Sequence, residues 1–427
     1  MRYSILLAAL QLPMLFASPV SAEPLTFGQA LDLARARSRQ LVAQDASASA
    51  SREMGVAARQ LPDPVLKVGV NNLPINGPDA FSLSSDFMTM RQVGVMQEFT
   101  RGDKLRARSA RYEREAEVAE AGKELTIANL ERDTAQAWLD RYYQEAIREL
   151  LVKQRDEARL QITAAESAYR SGRGMQADVF ATRLAVAQLD DQIALANRQV
   201  ATATTVLSRW VGEAARGPLA GMPGMSAVRM HTDAGSDLDA QVAQHPDIAL
   251  MNKQEELAKA DAQVARANKQ TDWSAEFMYN QRGSAYSKMV ALTISIPLQW
   301  NQKDRQDREL GAKLAQVEQI RAEREEATRM HVAEIRGLQQ AWQGNRERLA
   351  RYDASLIPLT TERTRAATTA YSTSGGTLTS VLDARRAQID MQVERLKLEM
   401  ETARLWAQLN YLVPTDRTAA TNAGSAP

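Results

Sequence analysis

The chain has no cysteine among its 427 residues, few aromatic residues and almost no net charge. Without cysteine there are no disulfides, no thiolate metal ligands and no cysteine nucleophile, and the bacterial lipid anchor, which is attached to a cysteine, is not expected. The aromatic fraction of 5% suits long exposed helices better than a large globular core. A formal net charge of +1 gives no reason to expect a nucleic-acid partner.

Long hydrophobic runs are missing after residue 22, so no transmembrane helix is predicted. The first 22 residues have the pattern of a secretory signal, with Arg2 at the start, an apolar core over 5–16 and small residues over 20–22. The apolar run is too short for a membrane anchor. We therefore expect a signal peptide at 1–22 and export of the chain that follows it.

Motifs for catalysis are missing as well. No phosphate-binding loop, nucleotide fingerprint, zinc-protease helix or serine–histidine elbow occurs. His231, His245 and His331 are too widely spaced along the chain to suggest a zinc site. We expect no enzymatic activity, no cofactor and no resident metal.

What the chain does contain is an internal duplication, with an offset of about 200 residues. The segment 169–174, with Asp178 after it, returns as 371–376, with Ser380 after it. We place the first copy at 23–211, a Gly/Pro-rich linker at 212–236 and the second copy at 237–413, followed by a polar, disordered tail at 414–427. A duplication of this length predicts one architecture with pseudo-twofold symmetry.

Each copy is predicted to contain a helix, two strands, a long helix and a return helix. The helices are expected at 25–59, 103–171 and 175–211 in the first copy, and at 246–269, 303–371 and 377–412 in the second. Apolar residues at spacings of three and four mark the packed faces of the last two; they are Ile335, Leu338, Trp342, Leu349, Tyr352 and Leu356, with Ile389, Val393, Leu396, Met400, Ala403 and Ala407. Such stripes predict antiparallel coiled-coil hairpins.

The strands are predicted at 65–71, 91–99, 273–280 and 288–298, where apolar and polar residues alternate. The apolar face is expected to carry Val93, Val95, Phe99, Trp273, Phe277, Tyr279, Leu292, Ile294 and Ile296. Their length and alternation fit strands that cross an outer membrane with lipid on one side and water on the other. Four strands cannot close a barrel and open edges are not tolerated in lipid, so the chain would have to oligomerise. The alternative is a pair of soluble hairpins packed on the helices.

Taken together, this order of elements resembles the TolC-like outer-membrane factors of Gram-negative efflux systems. The specific matches are the turns around Tyr169 and Tyr371, the segment 61–66 and the Gln97-Glu-Phe stretch that leads into the long helix. The resemblance implies a homotrimer with a twelve-stranded barrel in outer-membrane lipid and a helical tunnel across the periplasm. It also implies two partners, a periplasmic membrane-fusion adaptor and an inner-membrane pump of the resistance–nodulation–division (RND) class.

The resemblance also points to the turns at the hairpin tips as the gate. In such channels a Tyr and an Arg hold the second turn closed and two Asp residues line the aperture. Here Tyr371 and Asp383 match, whereas Gly376 and Ser380 stand at the other two positions. The candidate tip residues are Tyr169, Gly172, Gly174, Asp178, Tyr371, Gly376, Ser380 and Asp383. Asp178 and Asp383 are predicted to form carboxylate rings that attract cations, or to be acids of a first helical turn favoured by the helix dipole.

The loop 81–90 resembles the heavy-metal-export branch, of the copper/silver or cobalt/zinc/cadmium type. Met88, Met90 and Met96 carry soft thioethers suited to Cu(I) or Ag(I), but methionine also fills gaps between strands, so the metal assignment depends on the resemblance. The alternatives are efflux of drugs or organic solutes, type I protein secretion, and, more distantly, a soluble periplasmic coiled-coil protein.

Overall fold

The computed structural model describes residues 23–225, 242–243, 245–373 and 375–412. The expected signal peptide, the later part of the linker, His231 and the expected tail lie outside these residues. No helix in the described ranges combines the length and the apolar character needed to cross a membrane.

Helices make up most of the described chain. In the first copy they are α1 (Phe27–Arg37), α2 (Arg39–Ala58), α3 (Gly102–Arg170) and α4 (Gln176–Val211), and in the second α5 (Pro246–Ala267), α6 (Gln306–Arg351), α7 (Ile357–Ser372) and α8 (Leu378–Asn410). The predicted single helix over 25–59 is wrong, because Ser38 ends α1 and caps α2, its side chain accepting a hydrogen bond from the N–H of Leu41. The 69 residues of α3 span roughly 100 Å without a break.

The second long helix differs from the first. The long helix predicted over 303–371 runs without a gap from Gln306 to Ser372, but a π-helical turn at Tyr352–Leu356 interrupts its regular α-helical hydrogen bonding between α6 and α7. Pro358 follows directly at the start of α7 and has no N–H to continue the regular ladder, which accounts for the irregularity here. The turn is tied to the return helix by an ion pair between Asp353 and Arg395, with 2.6 Å between Oδ1 and Nε.

The four strands form one antiparallel sheet in the order β1 (Val65–Asn71), β2 (Met90–Phe99), β3 (Trp273–Gln281) and β4 (Met289–Ser295). The two copies meet in the middle of the sheet, where Val95 is paired with Phe277. Ile296, predicted as a strand residue, lies one position beyond the end of β4.

The main core lies where α1, α3, α4 and α8 meet. Trp138 and Leu139 of α3 and Leu207 of α4 are fully buried there, with Ala403 and Ala407 of α8. A second cluster follows the first hairpin away from this centre and includes Ile147, Leu151, Val186, Leu189 and Ile193, with Ile389 of α8. The stripe predicted on α8 is therefore a packed surface, with Val393, Leu396 and Met400 beside the buried residues. The stripe predicted on the second long helix is packed only in its first half, because Ile335 and Leu338 lie in a cluster with α5 whereas Leu356 is exposed.

The first residues of the predicted linker are part of this core. Gly212–Arg216 form a 3-10 helix, and the next residues return to the start of the chain, where Leu25 N–H donates to the carbonyl of Pro218 at 2.8 Å. Arg141, buried in α3, donates to the carbonyls of Ala215 and Gly217. The connection between the copies is thus anchored where it leaves α4.

Candidate functional site

The tips of the two hairpins lie side by side at one end of the molecule. Ala165 and Val179 of the first hairpin and Leu378 and Val381 of the second form a buried cluster. Tyr371 packs against this cluster, whereas its counterpart Tyr169 is exposed. The structure therefore brings the two predicted tip turns together but gives their tyrosines different environments.

Glycine is favoured at the same place in both turns, because the backbone approaches closely there. A Cβ built on Gly174 would lie 3.2 Å from the backbone N of Tyr169, and one built on Gly376 would lie 3.1 Å from the backbone N of Tyr371. Contacts this close to backbone atoms cannot be relieved by a side-chain rotation. Gly172 has a different reason, a φ of +74°, which favours a residue without Cβ.

The two return helices are capped by different residues. In α4 the carboxylate of Asp178 accepts a hydrogen bond from the backbone N–H of Met175 at 3.0 Å. In α8 the capping side chain comes from the first residue of the pair instead of the second. There the hydroxyl of Thr377 accepts a hydrogen bond from the backbone N–H of Ser380 at 3.2 Å. The exchange of Asp for Ser between the copies is therefore matched by an exchange of Met for Thr three residues earlier, so that each helix keeps one cap.

Asp383 has no such role. It lies in the second turn of α8, beyond the reach of a cap, so the first-turn interpretation applies to Asp178 and not to Asp383. Asp383 lines a groove of about 230 Å³ between α4 and α8, together with Arg386 and Asp390 of α8 and Gln188 of α4. The groove lies between the hairpins near the tips, and apolar side chains such as Leu184, Leu189 and Ile389 form much of its wall.

The apolar face of the sheet is open to its surroundings. It carries all nine predicted residues, namely Val93, Val95, Phe99, Trp273, Phe277, Tyr279, Leu292, Ile294 and, just past β4, Ile296. Leu66, Val68 and Val70 of β1 continue it. Leu292 is 71% exposed, and Phe99 stacks on Trp273 with ring centroids 4.2 Å apart. An exposed apolar patch of this extent marks a surface that is covered by lipid or by another protein.

The opposite face of the sheet is the polar face. It carries Val65, Lys67, Gly69, Asn71, Met90, Gln92, Gly94, Met96, Glu98, Ser274, Glu276, Met278, Asn280, Met289, Ala291, Thr293 and Ser295. Lys67 forms an ion pair with Glu276 across the intervening strand. The intervening strand is β2, which has Gly94 at this position. The side chain of Met278 lies over Gly94. The alternation predicted from the sequence, with apolar and polar sides, is thus present on all four strands.

Two of the three histidines are close together, contrary to what their spacing in the sequence suggests. The rings of His245 and His331 are 4.5 Å apart, and Nε2 of His331 lies 2.9 Å from a carboxylate oxygen of Asp247. They meet because α5 packs against α6, which brings the first turn of one beside the middle of the other. Across the described residues, no group of three or more His, Cys, Asp or Glu side chains is arranged to hold a metal ion.

Burial lowers the pKa of His245 to about 4, and the nearby charges of His331 and Arg132 act in the same direction, while Asp247 opposes them. The Nδ1 atom of His245 accepts a hydrogen bond from the backbone N–H of Asp247, so this side chain caps α5 in its neutral form. The sequence indicates that His245 is the N-cap residue, since it directly precedes a proline at the first position of a helix.

Solved structures of outer-membrane channels share this fold over nearly the whole chain. CusC, for which transmembrane channel formation is described, is 15% identical, with 91% of this chain and 92% of that chain covered and a TM-score of 0.77. The outer membrane protein VceC of Vibrio cholerae is 17% identical, with 90% and 95% covered and a TM-score of 0.72. The CmeC outer membrane channel of Campylobacter jejuni is 12% identical, with 93% and 88% covered and a TM-score of 0.75.

No protein-family model and no curated protein sequence matches the chain. At these identities the likeness to solved structures establishes the fold. It confirms the predicted class, a mainly α chain with long helical hairpins and a small four-stranded sheet.

Proposed function

We propose that the protein is a TolC-like outer-membrane channel, a passive exit duct that spans the outer membrane and the periplasm of a Gram-negative bacterium. The observation that carries the proposal is the apolar face of the sheet, which lies exposed on strands of 7 to 10 residues. A strand of ten residues is about 34 Å long, and with the usual tilt of about 40° it covers the apolar band of an outer membrane. The shared fold supports the same function.

The edges of the sheet favour a closed ring of several copies. β1 and β4 are the outer strands, and neither has a partner on its outer side within the described residues. Because the sheet has four antiparallel strands, β4 of one copy can pair with β1 of the next and keep the antiparallel pattern. Two copies would give eight strands with a filled interior, and three would give twelve strands with room for a channel; neither leaves an open edge in lipid. We propose the trimer, because the resemblance to TolC-like factors implies it.

A pair of neighbouring substitutions tests this arrangement. Leu292 lies on the apolar face and Thr293 on the polar face of the same strand. Leu292→Arg is expected to abolish insertion, because a charge facing lipid costs about 2–4 kcal/mol at the bilayer midplane and three copies carry it. Thr293→Arg is expected to insert normally and to alter the current carried through the pore.

Cell fractionation, sizing of the detergent-solubilised protein and single-channel recording in planar bilayers measure these outcomes. The channel proposal requires outer-membrane fractionation, a trimer and conductance in the unmodified protein. Soluble fractionation without conductance would instead identify a periplasmic coiled-coil protein.

In this proposal the channel works in a tripartite efflux system, with a periplasmic membrane-fusion adaptor and an inner-membrane pump of the RND class. The cargo we propose is a heavy-metal cation, copper or silver, or else cobalt, zinc or cadmium. The resemblance of the loop 81–90 to the heavy-metal-export branch supports this cargo. Export of drugs or organic solutes, or type I protein secretion, is the alternative.

A deletion strain tested against copper, silver, zinc, cobalt, cadmium and a panel of dyes separates these cargoes. Loss of metal tolerance alone supports the metal branch. Sensitivity to dyes alone excludes it. Complementation with the intact chain and with Leu292→Arg shows whether the phenotype depends on the channel.

We also propose that the carboxylates near the tips act on cations at the narrow entrance. Single-channel block by divalent cations is measured in Asp178→Ala and Asp383→Ala. Because Asp178 is held in a cap and Asp383 lines the groove between the hairpins, the larger relief of block is expected for Asp383→Ala. Unchanged block in both variants would remove the carboxylate rings from the mechanism.

A further inference from the structure

The two ends of the sheet differ in charge. At the helical end, where β2 leads into α3, five of the twelve residues over 100–111 are Lys or Arg and one is acidic. Residues 299–308, which lead from β4 into α6, add three cations and two acids. At the opposite end, the loop 72–89 contains two acids and no Lys or Arg, and the short loop 282–288 contains two cations. Positive charge is therefore concentrated at the helical end.

The apolar face of the sheet ends in aromatic side chains at this same end. Phe99 and Trp273 stack on each other where β2 ends and β3 begins. Beyond β4 the alternation of apolar residues continues through Ile296, Leu298 and Trp300, all of them exposed and Trp300 by 88%. Tryptophan is enriched where the apolar interior of a membrane meets the headgroups. These aromatic residues mark the level at which the apolar face would meet the headgroups.

Cationic side chains lie directly beyond this aromatic boundary. Arg101 has an extended backbone and follows Phe99 by two positions, so the alternation of β2 places it on the side of the apolar face. A Cβ built on Gly102 would lie 3.3 Å from Nη1 of Arg106, which shows that this guanidinium reaches back to the first residue of α3. Helical side chains lean toward the N-terminus of their helix, which for α3 and α6 is the end at the sheet.

We call the exposed cations at this level the basic belt. Its members are Arg101, Arg106, Arg108, Lys303, Arg305 and Arg308. Within the described ranges only Arg101 of the six forms an ion pair, at 3.3 Å to Asp103. Arg101 and Arg305 directly precede α3 and α6, yet neither side chain makes a capping hydrogen bond. Cations near the start of a helix are disfavoured by the helix dipole, so helix formation does not account for the belt.

Lys104 shows how a structural cation at this end differs from the belt. Its side chain is 7% exposed, and Nζ lies 2.7 Å from a carboxylate oxygen of Asp272. The same carboxylate accepts a hydrogen bond from the backbone N–H of Arg101 at 3.0 Å. This ion pair ties the start of α3 to the start of β3. The belt cations are exposed instead, and their charge is available to an external anion.

We propose that the basic belt binds the anionic headgroups of phospholipids in the leaflet that faces the periplasm. The proposal rests on the proposed function, since the belt meets a lipid surface only if the sheet lies in the membrane with its helical end toward the periplasm. Basic residues next to a membrane attract anionic lipids, and the guanidinium of arginine matches the oxygens of a phosphate. The belt continues the apolar face, so one lipid molecule can contact both.

Quenching of tryptophan fluorescence by brominated lipids measures this preference. The full chain is reconstituted into vesicles of equal parts phosphatidylglycerol, which is anionic, and phosphatidylcholine, which is neutral overall, with bromine on the acyl chains of one lipid or the other. Trp273 and Trp300 lie at the end of the apolar face and report the lipid beside them. The remaining tryptophans lie on helices and give a background common to all variants; they are Trp138, Trp210, Trp342 and Trp406.

Two triple variants are compared, each of which removes three exposed arginines that form no ion pair with a described residue. The test variant carries Arg106→Gln, Arg108→Gln and Arg308→Gln. The matched control has the same change in net charge on parts of α4, α6 and α7 away from the sheet, and carries Arg198→Gln, Arg336→Gln and Arg363→Gln.

The unmodified chain is expected to prefer phosphatidylglycerol, and the test variant to lose at least about fivefold of that preference. This factor corresponds to about 1 kcal/mol, the contribution of one Lys or Arg near an anionic surface. The control is expected to keep the preference within about twofold. Equal preferences in the test variant and the control would overturn the proposal and assign the belt to another partner, such as an acidic protein segment.

Salt gives a second measurement that needs no variant. Because exposed charges are screened beyond about 3 Å at 1 M salt, the preference of the unmodified chain should fall there. Should the test variant fail to insert, this series decides, and a preference that 1 M salt leaves unchanged overturns the belt.

Conductance of the same proteins in planar bilayers separates this proposal from the proposed function. A conducting test variant with a lowered preference supports both. Conduction by an unmodified chain that has no preference for phosphatidylglycerol overturns the belt alone. An unmodified chain that neither inserts nor conducts overturns the proposed function, and the belt with it.

Discussion

Replacing Gly94 with alanine is expected to destabilise the sheet, although alanine adds only one methyl group. The new Cβ would lie 2.5 Å from the carbonyl oxygen of Phe277 on the paired strand, where ordinary contacts begin at 3.4 Å. The side chain of Met278 can rotate away, but the carbonyl belongs to the backbone of β3. Strands β2 and β3 would therefore have to part by most of an ångström at the junction between the two copies.

Two effects of Gly94→Ala lower the free energy of unfolding, and a third partly offsets them. Overpacking that shifts backbone costs about 1–3 kcal/mol, and a weakened pair of ladder hydrogen bonds adds about 1 kcal/mol. The smaller conformational freedom of alanine in the unfolded chain returns about 0.5–1 kcal/mol. A net loss of about 1–3 kcal/mol in the free energy of unfolding is expected for Gly94→Ala.

Gly69→Ala is the matched control, since Gly69 lies on the same face of the neighbouring strand. Its Cβ would meet only the amide end of the Gln92 side chain, at 3.3 Å, which can move. We expect this variant to be neutral or stabilised by up to about 1 kcal/mol.

Urea unfolding of the detergent-solubilised proteins, followed by tryptophan fluorescence, measures the difference, because Trp273 lies at the start of β3. Equal midpoints for the two variants would refute the reasoning, since it would mean that β2 and β3 do not approach each other as the structure has them. Adding Met278→Ala to Gly94→Ala is expected to restore only part of the loss, as the contact with the Phe277 carbonyl remains.

Three further predictions concern the tips and the histidine pair. Asp178→Ala should lower the free energy of unfolding by about 1 kcal/mol through loss of the cap, and adding Met175→Thr should restore it, as thermal unfolding can show; failure of the rescue would mean that the cap is not the cause. Gly376→Ala should increase the rate of proteolysis in the second turn, whereas Gly375→Ala, whose Cβ has its nearest atom at 3.7 Å, should not; equal rates would contradict the close backbone approach. The pKa of His245 is about 4 in the folded chain, against an ordinary value of 6.5. Between these pH values the unfolded chain binds more protons than the folded chain, so the free energy of unfolding falls as the pH drops through this range. The expected loss at pH 5 is about 1 kcal/mol after allowance for the partial exposure of the side chain. His245→Asn keeps a capping side chain that does not titrate, and thermal unfolding between pH 4.5 and 7 should show a flatter profile for it; an equal slope would assign the pH dependence to other groups.

The asymmetry between the tips has a structural explanation that the sequence alone did not offer. The sequence predicts a gate at the hairpin tips, with Asp178 in the first copy where the second copy has Ser380. In the structure the exchange is compensated by Met175 and Thr377, each pair supplying one cap. Asp383 is the acid that has no structural partner of this kind.

The contact between the two histidines could not be predicted from the sequence. The spacing of His245 and His331 along the chain gives no reason to expect a contact, because spacing does not specify which residues of different helices meet. Their contact depends on how α5 packs on α6, which is a tertiary property. The same holds for the buried Arg141, whose two carbonyl partners lie more than seventy residues away.

Elements that repeat with a local period can be predicted from the sequence alone. Helices, strands, the two faces of the sheet and the duplicated order were all predictable, because periods of 3.6 and 2 residues and the glycines at turns act over a few neighbouring positions. Which distant residues meet depends on the tertiary packing. It joins the sheets of the two copies through β2 and β3 and places the two tips in contact. These contacts depend on register and helix packing over about 180 residues of intervening chain, and no local pattern specifies them.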